Sequence, residues 1–499
     1  MTDTSTLQSI DARTGQPSGE SWAASTPAAI AATVAAASEA SAVWAASDGA
    51  TRARLLRGLA SALEAAREQL VPLADRETAL GTARLNGELV RTAFQLRGFA
   101  DVVEQGAAFA VQDDAAVAGA PPVGRPRLTL VRVPLGPVAM FAASNFPFAF
   151  SVLGGDTASA LAAGCPVVVK GHPAHPALSR MTIALAQRVL ADQDLPAGLI
   201  GFVEGAAIAT GVQLVQAESI AAVAFTGSFF GGTALAKVAS DRPRPIPFFG
   251  ELGSVNPVIV LPQALRSDVT ELAQTLAGSI CQGSGQFCTS PGVIIVQKDV
   301  AGDAFVNALA TQLSSLSPHA MLTPGIRRAF DKGTRHWRET SGVRPLVADV
   351  AESGSTPRPC LVEVDTTTFV SDTSLHDEVF GSAAIVVRTD ASSQAVEVLH
   401  AIGGSLTVTL WGVDAGTSAP DADTLALVRA AAQAAGRVLF AGVPTGVAVT
   451  AAQHHGGPFP ASTAPATTSV GYAALDRFLR PVALQDAPAW LLDRDGVPC

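Results

Sequence analysis

One segment of this 499-residue chain has the composition of a reactive turn: Gly283-Ser284-Gly285-Gln286-Phe287-Cys288-Thr289. Glycines at this density let a backbone approach a ligand closely and place the thiol on a tight turn. The thiolate is the nucleophilic form, so a catalytic Cys288 needs surroundings that favour it; a small packed cysteine is the competing reading. Glu251 lies in a second glycine-flanked turn, Phe249-Gly250-Glu251-Leu252-Gly253-Ser254. A carboxylate among apolar neighbours is expected to have a raised pKa, as suits a general base, whereas an exposed loop glutamate would have no such role. Asn145, in Ala143-Ser144-Asn145-Phe146-Pro147, follows an apolar run. There it serves either as donor to a developing oxyanion or as the cap of the next helix.

A second group suits an anionic cofactor. Phe225-Thr226-Gly227-Ser228 ends an apolar strand, with Gly231 and Gly232 opening a helix. Free amides and the helix dipole at such a junction favour phosphate, although GxGxxG is absent. Lys170 ends the run Val167 to Val169, where a cation reaches a ribose or phosphate; a surface lysine is the alternative.

The positioning elements follow from pattern. A chain this long exceeds one core, so two or three domains are expected. Residues are 48% hydrophobic and 15% charged, with net charge −10. That composition argues against disorder and, lacking a basic run, disfavours nucleic acid and anionic membrane as partners. Five scattered cysteines (Cys165, Cys281, Cys288, Cys360, Cys499) show no zinc spacing and no disulfide framework. The polar stretch Met1 to Gly19 lacks a signal-peptide core, and no uninterrupted apolar run is long enough for a membrane span, so a cytoplasmic location is expected. Periodicity predicts helices over 28–46, 52–73 and 88–104, and a half-exposed strand over 127–133. From Val138, short apolar strands (138–142, 167–169, 200–203, 221–225) alternate with helical patterns (158–163, 177–190, 207–215, 232–239). This is the pattern of an α/β, doubly wound parallel sheet. The proline-rich Arg242 to Pro247 reads as a boundary before a second α/β region, with strands near 258–260, 293–296 and 384–387. Irregular sequence over 454–469 precedes a last segment, 477–484.

The strings ASNFP, VVVK, FTGS, ELGS, GQFC and EVFG stand in the order and at the approximate spacing found in NAD(P)-dependent aldehyde dehydrogenases, and the chain resembles that superfamily over nearly its whole length. Longer stretches (residues 143–176, 245–258 and the tail from Gly456) are similar to the α-ketoglutaric semialdehyde (2,5-dioxovalerate) dehydrogenases. These are similar in turn to the NADP-linked fatty aldehyde dehydrogenase of luminous bacteria.

The resemblance implies a Rossmann-type cofactor domain (1–120 and 138–245), an α/β catalytic domain (246–450) and a small β oligomerisation arm (121–137 and 470–499) forming homodimers or homotetramers. It implies that Cys288 attacks the aldehyde and that Asn145 and the Cys288 N–H hold the oxyanion. Glu251 then hydrolyses the thioester to a free acid. Glu378 and Phe380 match positions at the nicotinamide ribose and ring. NAD-preferring relatives carry a glutamate where this chain has Pro173. Lys170 and His172 therefore favour NADP over NAD through attraction of a 2′-phosphate. Arg91 matches a tunnel-lining position, and Arg91 and Gln95 share a helix face, while Arg97 lies on the same helix. An arginine fork suits a distal carboxylate, so the expected reaction is α-ketoglutaric semialdehyde to α-ketoglutarate. The alternative, a broad aliphatic or fatty aldehyde dehydrogenase, calls for an apolar tunnel. Two departures are Ser144, where many relatives have Trp, and the pair Phe229-Phe230.

Overall fold

A computed structural model describes residues 6–266, 268–348, 354–413, 416 and 420–492; Cys499 lies outside them. A hairpin of β1 (Thr6–Ile10) and β2 (Pro17–Ala23) leads into four helices: α1 (Pro27–Ala45), α2 (Gly49–Ala65), α3 (Arg67–Thr78) and α4 (Thr82–Gln105). Thr26 and Asp48 start the first two by accepting the amides of Ala29 and Thr51, donors that a helix start otherwise leaves unpaired. The single helix expected over 52–73 is broken at Ala66. Apolar periodicity runs through that joint, and the turn comes instead from packing α3 on α4 and on a later helix. In length and mean hydropathy (1.3) α1 would pass for a membrane-crossing helix. Here Ile30, Val34 and Ala37 pack on the sheet formed by the next strands, and Trp44 Nε1 donates to Leu161 O at 3.0 Å.

After β3 (Gln112–Asp114) and β4 (Leu128–Pro134) the chain alternates strand and helix: β5 (Val138–Phe141), α5 (Gly155–Ala163), β6 (Val167–Lys170), α6 (Pro176–Asp192), β7 (Ile200–Val203), α7 (Ile208–Gln216), β8 (Ala222–Thr226), α8 (Phe229–Ser240) and β9 (Phe248–Glu251). The five strands are parallel in the order β7-β6-β5-β8-β9. Helices cover both faces, which is why these strands are nearly continuous Val, Ala and Phe. Strand order reverses at β5, and a crevice opens at the carboxyl ends on either side of such a point. Residues 141–145, 170–172, 226–228 and Glu251 all leave the sheet there.

The second sheet is built by β10 (Val258–Val260), α9 (Val269–Cys281), β11 (Val293–Gln297), α10 (Val300–Ser315), α11 (Pro324–Glu339), β12 (Arg344–Val347), β13 (Cys360–Asp365), α12 (Thr366–Ser371), β14 (Ala383–Thr389), α13 (Gln394–Ile402), β15 (Ser405–Trp411), α14 (Ala422–Ala434) and β16 (Ala435–Leu439). Its order is β12-β13-β14-β11-β10-β15-β16, with β12 antiparallel at one edge, and apolar cores lie on both faces. The last strand, β17 (Leu479–Gln485), pairs antiparallel with β4 and closes a three-stranded sheet with β3.

Helix α4 begins at Thr82, a turn and a half before the expected Glu88. It is held by fully buried Leu55, Leu56 and Leu59 of α2, each contributing about 1.5–3 kcal/mol. Likewise α8 starts at Phe229 rather than Gly232, because Ser228 caps it through Gly231 N–H.

Candidate active site

The Cys288 loop is built by backbone geometry. Beyond α9, Gly283, Ser284 and Gly285 all take left-handed φ values of 58°, 57° and 68°. A Cβ on Gly285 would lie 2.2 Å from the Gly381 carbonyl carbon, so conformation and close approach both demand glycine. Asn256, fully buried at φ 45°, donates from Nδ2 to Cys288 O (2.8 Å) and Ser290 O (3.0 Å). Its Oδ1 accepts from Ser254 Oγ and Thr407 Oγ1. Asn145 caps no helix; its Nδ2 reaches Gln286 O at 3.1 Å. The second N–H of that amide and the Cys288 backbone N–H are the donors an oxyanion at the thiol would use. Arg84 ties the two loops together: Nη2 donates to Asn145 O (2.6 Å), and the guanidinium lies over the Phe287 and Phe146 rings at 4.4 and 5.0 Å.

His455, from the irregular 454–469 stretch, sits beside both Glu251 and Cys288. Its Nε2 is 3.0 Å from Glu251 Oε1 and 3.6 Å from Cys288 Sγ, and Ser469 Oγ donates to Glu251 Oε2 at 2.6 Å. The raised pKa expected for Glu251 is overturned. Burial does push it upward, but the His455 ring, the Ser469 hydroxyl and the Cys288 thiol outweigh burial and bring it below the usual carboxylate value. A carboxylate held ionised is ready to accept a proton at neutral pH. The Cys288 thiol is pushed well above its ordinary value, first by burial and then by the Glu251 charge. Thiol, imidazole and carboxylate atoms lie within 4.8 Å of one another. Such a set also has the makings of a metal site, of which the Cys and His spacing gives no sign; the Glu251–His455 hydrogen bond is a proton-sharing contact.

A cavity of about 450 Å³ opens over Cys288, lined among others by Asn145, His172, Thr226, Ser228, Glu378 and Phe380. Its position at the carboxyl ends of the parallel strands suits a dinucleotide, and Thr226 Oγ1 is buried there without a protein partner. Gly227 N–H is engaged by Glu251 O at 3.1 Å, which links the Thr226–Ser228 turn to Glu251. Gly232 serves packing: a Cβ there would stand 2.1 Å from Leu252 Cδ2. Lys170 Nζ donates to Gly205 O and Gly171 O, and burial brings its pKa down to about 8. His172 Nδ1 accepts from Ala174 N–H; burial, with His175 and Lys170 nearby, keeps this ring well below the ordinary histidine range. Burial raises Glu378 to about 8. Phe229 packs on Phe459 and Phe230, with ring centroids 5.7 Å apart in both cases. Phe229 and Phe230 line an adjoining cleft of about 460 Å³.

Helix α4 carries Arg84, Glu88, Arg91 and Gln95 along one stripe. Glu88 Oε1 accepts the amides of Phe148 and Ala149 (2.8 and 3.0 Å), fixing the segment that follows Asn145. Arg91 lies over Phe150 at 5.7 Å, with Nη2 3.4 Å from Val447 O. Burial lowers its pKa, countered by the charges of Glu88, Cys288 and Glu251. Arg91 Nη1 and Gln95 Nε2 are buried without protein partners. Arg97 faces away and pairs with Glu64 at 2.6 Å.

A thiol able to carry an acyl group, facing a dinucleotide-sized cleft, is the layout of an oxidoreductase that works through a covalent intermediate. The aldehyde dehydrogenase family model matches residues 1–427, and the chain belongs to that family. It is an aldehyde-oxidising enzyme of a family that uses NAD(P). It is 42% identical to alpha-ketoglutaric semialdehyde dehydrogenase 2 of Azospirillum brasilense over 448 residues, covering 89% of this chain and 84% of that protein. It is 38% identical to alpha-ketoglutaric semialdehyde dehydrogenase of Acinetobacter baylyi over 498 residues, 99% and 94% of the two chains. Among solved structures, an NAD-dependent aldehyde dehydrogenase from Sinorhizobium meliloti superimposes with TM-score 0.80 at 22% identity, covering 97% of this chain and 92% of that one. Apo betaine aldehyde dehydrogenase from Staphylococcus aureus gives 0.81 at 19%, covering 97% and 93%. These two likenesses are ones of fold.

Proposed function

We propose that the enzyme oxidises α-ketoglutaric semialdehyde to α-ketoglutarate, with water as the acyl acceptor. The observation that carries this reading is Arg91 Nη1, a buried guanidinium donor within electrostatic reach of Cys288 and Glu251 that no protein group satisfies. Unpaired buried donors are costly, and a 2-oxo acid brings acceptors to meet them. The names of the two relatives support the same substrate.

The Cys288 thiolate attacks the aldehyde carbon while Asn145 Nδ2 and the Cys288 N–H hold the resulting oxyanion. When bound, the nicotinamide supplies the acceptor for the hydride. Collapse of the adduct leaves a thioester on Cys288. Glu251 then takes a proton from water, which attacks the thioester carbonyl; the acid leaves and the thiol is restored. Asn256 and Arg84 keep thiol and oxyanion donors in register.

The test is steady-state reduction of NADP and NAD with α-ketoglutaric semialdehyde, succinic semialdehyde, hexanal and decanal, for wild type and Arg91→Ala. The dicarbonyl acid is expected to have the highest kcat/KM, and Arg91→Ala to lower it by roughly 10²-fold while sparing hexanal. A preference for decanal that Arg91→Ala leaves unchanged would establish the aliphatic reading instead.

Pro173 in place of an acidic residue, with His172 and Lys170 at the same strand end, supports NADP as the preferred cofactor. His172→Ala is expected to raise the NADP Kd several-fold, on the order of the 1 kcal/mol of one hydrogen bond, and to leave that of NAD unchanged. Fluorescence titration measures both, and equal changes would remove His172 as a 2′-phosphate reader. The β3-β4-β17 sheet is our candidate for the oligomerisation arm of a homodimer or homotetramer. The free thiols of Cys165, Cys281, Cys288 and Cys360 suit a cytoplasmic enzyme.

A further inference from the structure

Beside Glu251 lies a further, small cavity, separate from the one over Cys288. Its wall includes Glu251, His455, Ser462, Thr467, Ser469 and Arg477. Its volume is about 10 Å³, near the room that one water molecule needs. Two buried nitrogens of its lining residues have no protein partner: His455 Nδ1 and Arg477 Nε. Arg477 itself is fixed. Its side chain is 3% exposed, Nη2 is ion-paired with Asp156 Oδ1, and the guanidinium lies over the Phe478 ring at 4.8 Å.

The chemistry of the two unpartnered nitrogens is complementary. An ionised carboxylate only accepts, so Nε2 of His455 carries the hydrogen shared with Glu251 Oε1, and in the tautomer so fixed Nδ1 is an acceptor. Arg477 Nε–H is only a donor. Neither can remain unsatisfied in the interior without cost.

We propose that this cavity holds one water, which accepts from Arg477 Nε–H and donates to His455 Nδ1. Arg477 is thereby a positioning residue for Glu251. The water leaves its second hydrogen for the hydroxyls of Ser462 or Thr467, giving it the partners a buried water requires. Through it, Arg477 selects the ring tautomer that points Nε2–H at Glu251, which keeps the base ionised and aimed at the thioester. Arg477 touches neither substrate nor thiol and acts only on the Glu251-dependent step. This inference rests on the thioester reading above.

Two measurements on the full-length protein test it. A crystal structure at about 1.5 Å is expected to show a water within 2.7–3.2 Å of both nitrogens; an empty cavity, or direct Arg477–His455 contact, overturns the proposal. Arg477→Lys keeps a cation for Asp156 and removes the Nε donor. In single turnovers it is expected to reduce cofactor at the wild-type rate but hydrolyse the thioester about tenfold more slowly, the worth of one hydrogen bond. Equal loss in both steps, or loss in neither, removes the positioning role. Should the variant not fold, the wild-type density decides. If the wild type reduces no cofactor with any aldehyde, the functional reading fails, and the water is still judged by the density.

Discussion

Cys288→Ser is expected to lose aldehyde oxidation by roughly 10⁴-fold or more in kcat/KM, because a serine hydroxyl here has nothing to make it an alkoxide. The thiol itself sits at a disadvantage in this site, raised by burial and by the adjacent Glu251 carboxylate. An alcohol, which starts far less acidic than a thiol, would be out of reach of any base present. The substitution is nearly isosteric, and Asn256 holds the backbone at this point through the Cys288 carbonyl. Thermal midpoint and affinity for the reduced cofactor should therefore match wild type. Absorbance at the reduced-nicotinamide band measures the loss, and residual turnover within tenfold of wild type would mean that another group is the nucleophile.

Glu251→Gln should separate the two halves of the reaction. The thioester forms without a base for water, so each active site reduces one equivalent of cofactor and then stalls. Steady-state turnover falls by about 10²–10⁴-fold, the contribution of a positioned general base. The amide oxygen still accepts from His455 Nε2–H and the amide NH2 donates to Ser469 Oγ, whose own hydrogen has His455 O as acceptor, which protects the fold. The same variant carries a pH prediction of opposite sense. Glu251 destabilises the neighbouring thiolate by like charge and stabilises the protonated thiol by accepting its S–H, and both effects hold the Cys288 pKa up. With the charge gone, the pKa falls, and the midpoint of iodoacetamide alkylation moves to lower pH than in wild type. Rapid-mixing kinetics and alkylation rates against pH check the two halves. A variant that never reduces the first equivalent, or whose thiol titrates at higher pH, would assign Glu251 to a different step.

Sequence by itself showed the alternation of a parallel α/β sheet and singled out Cys288, Glu251 and Asn145, which the fold brings to the wall of one cavity. Each is written locally: glycines around Cys288 and Glu251, apolar runs ending at Asn145, Lys170 and Thr226. The main elements emerged because buried parallel strands and amphipathic helices have short repeats that a linear reading detects. Helix starts were less legible, and with α4 beginning at Thr82 the role of Arg84 escaped notice. Only the tertiary structure brought in His455, which comes from a stretch without periodicity and reaches Glu251 across 204 positions of sequence. Asn256 and Arg477 were hidden in the same way. The sign of the Glu251 shift was decided there too. Local neighbours predicted a raised pKa from burial, whereas His455 and Ser469, both remote in the chain, reverse it. Burial of a charge depends on the local fold, but its compensation depends on whichever distant groups the fold delivers, and no spacing rule records those.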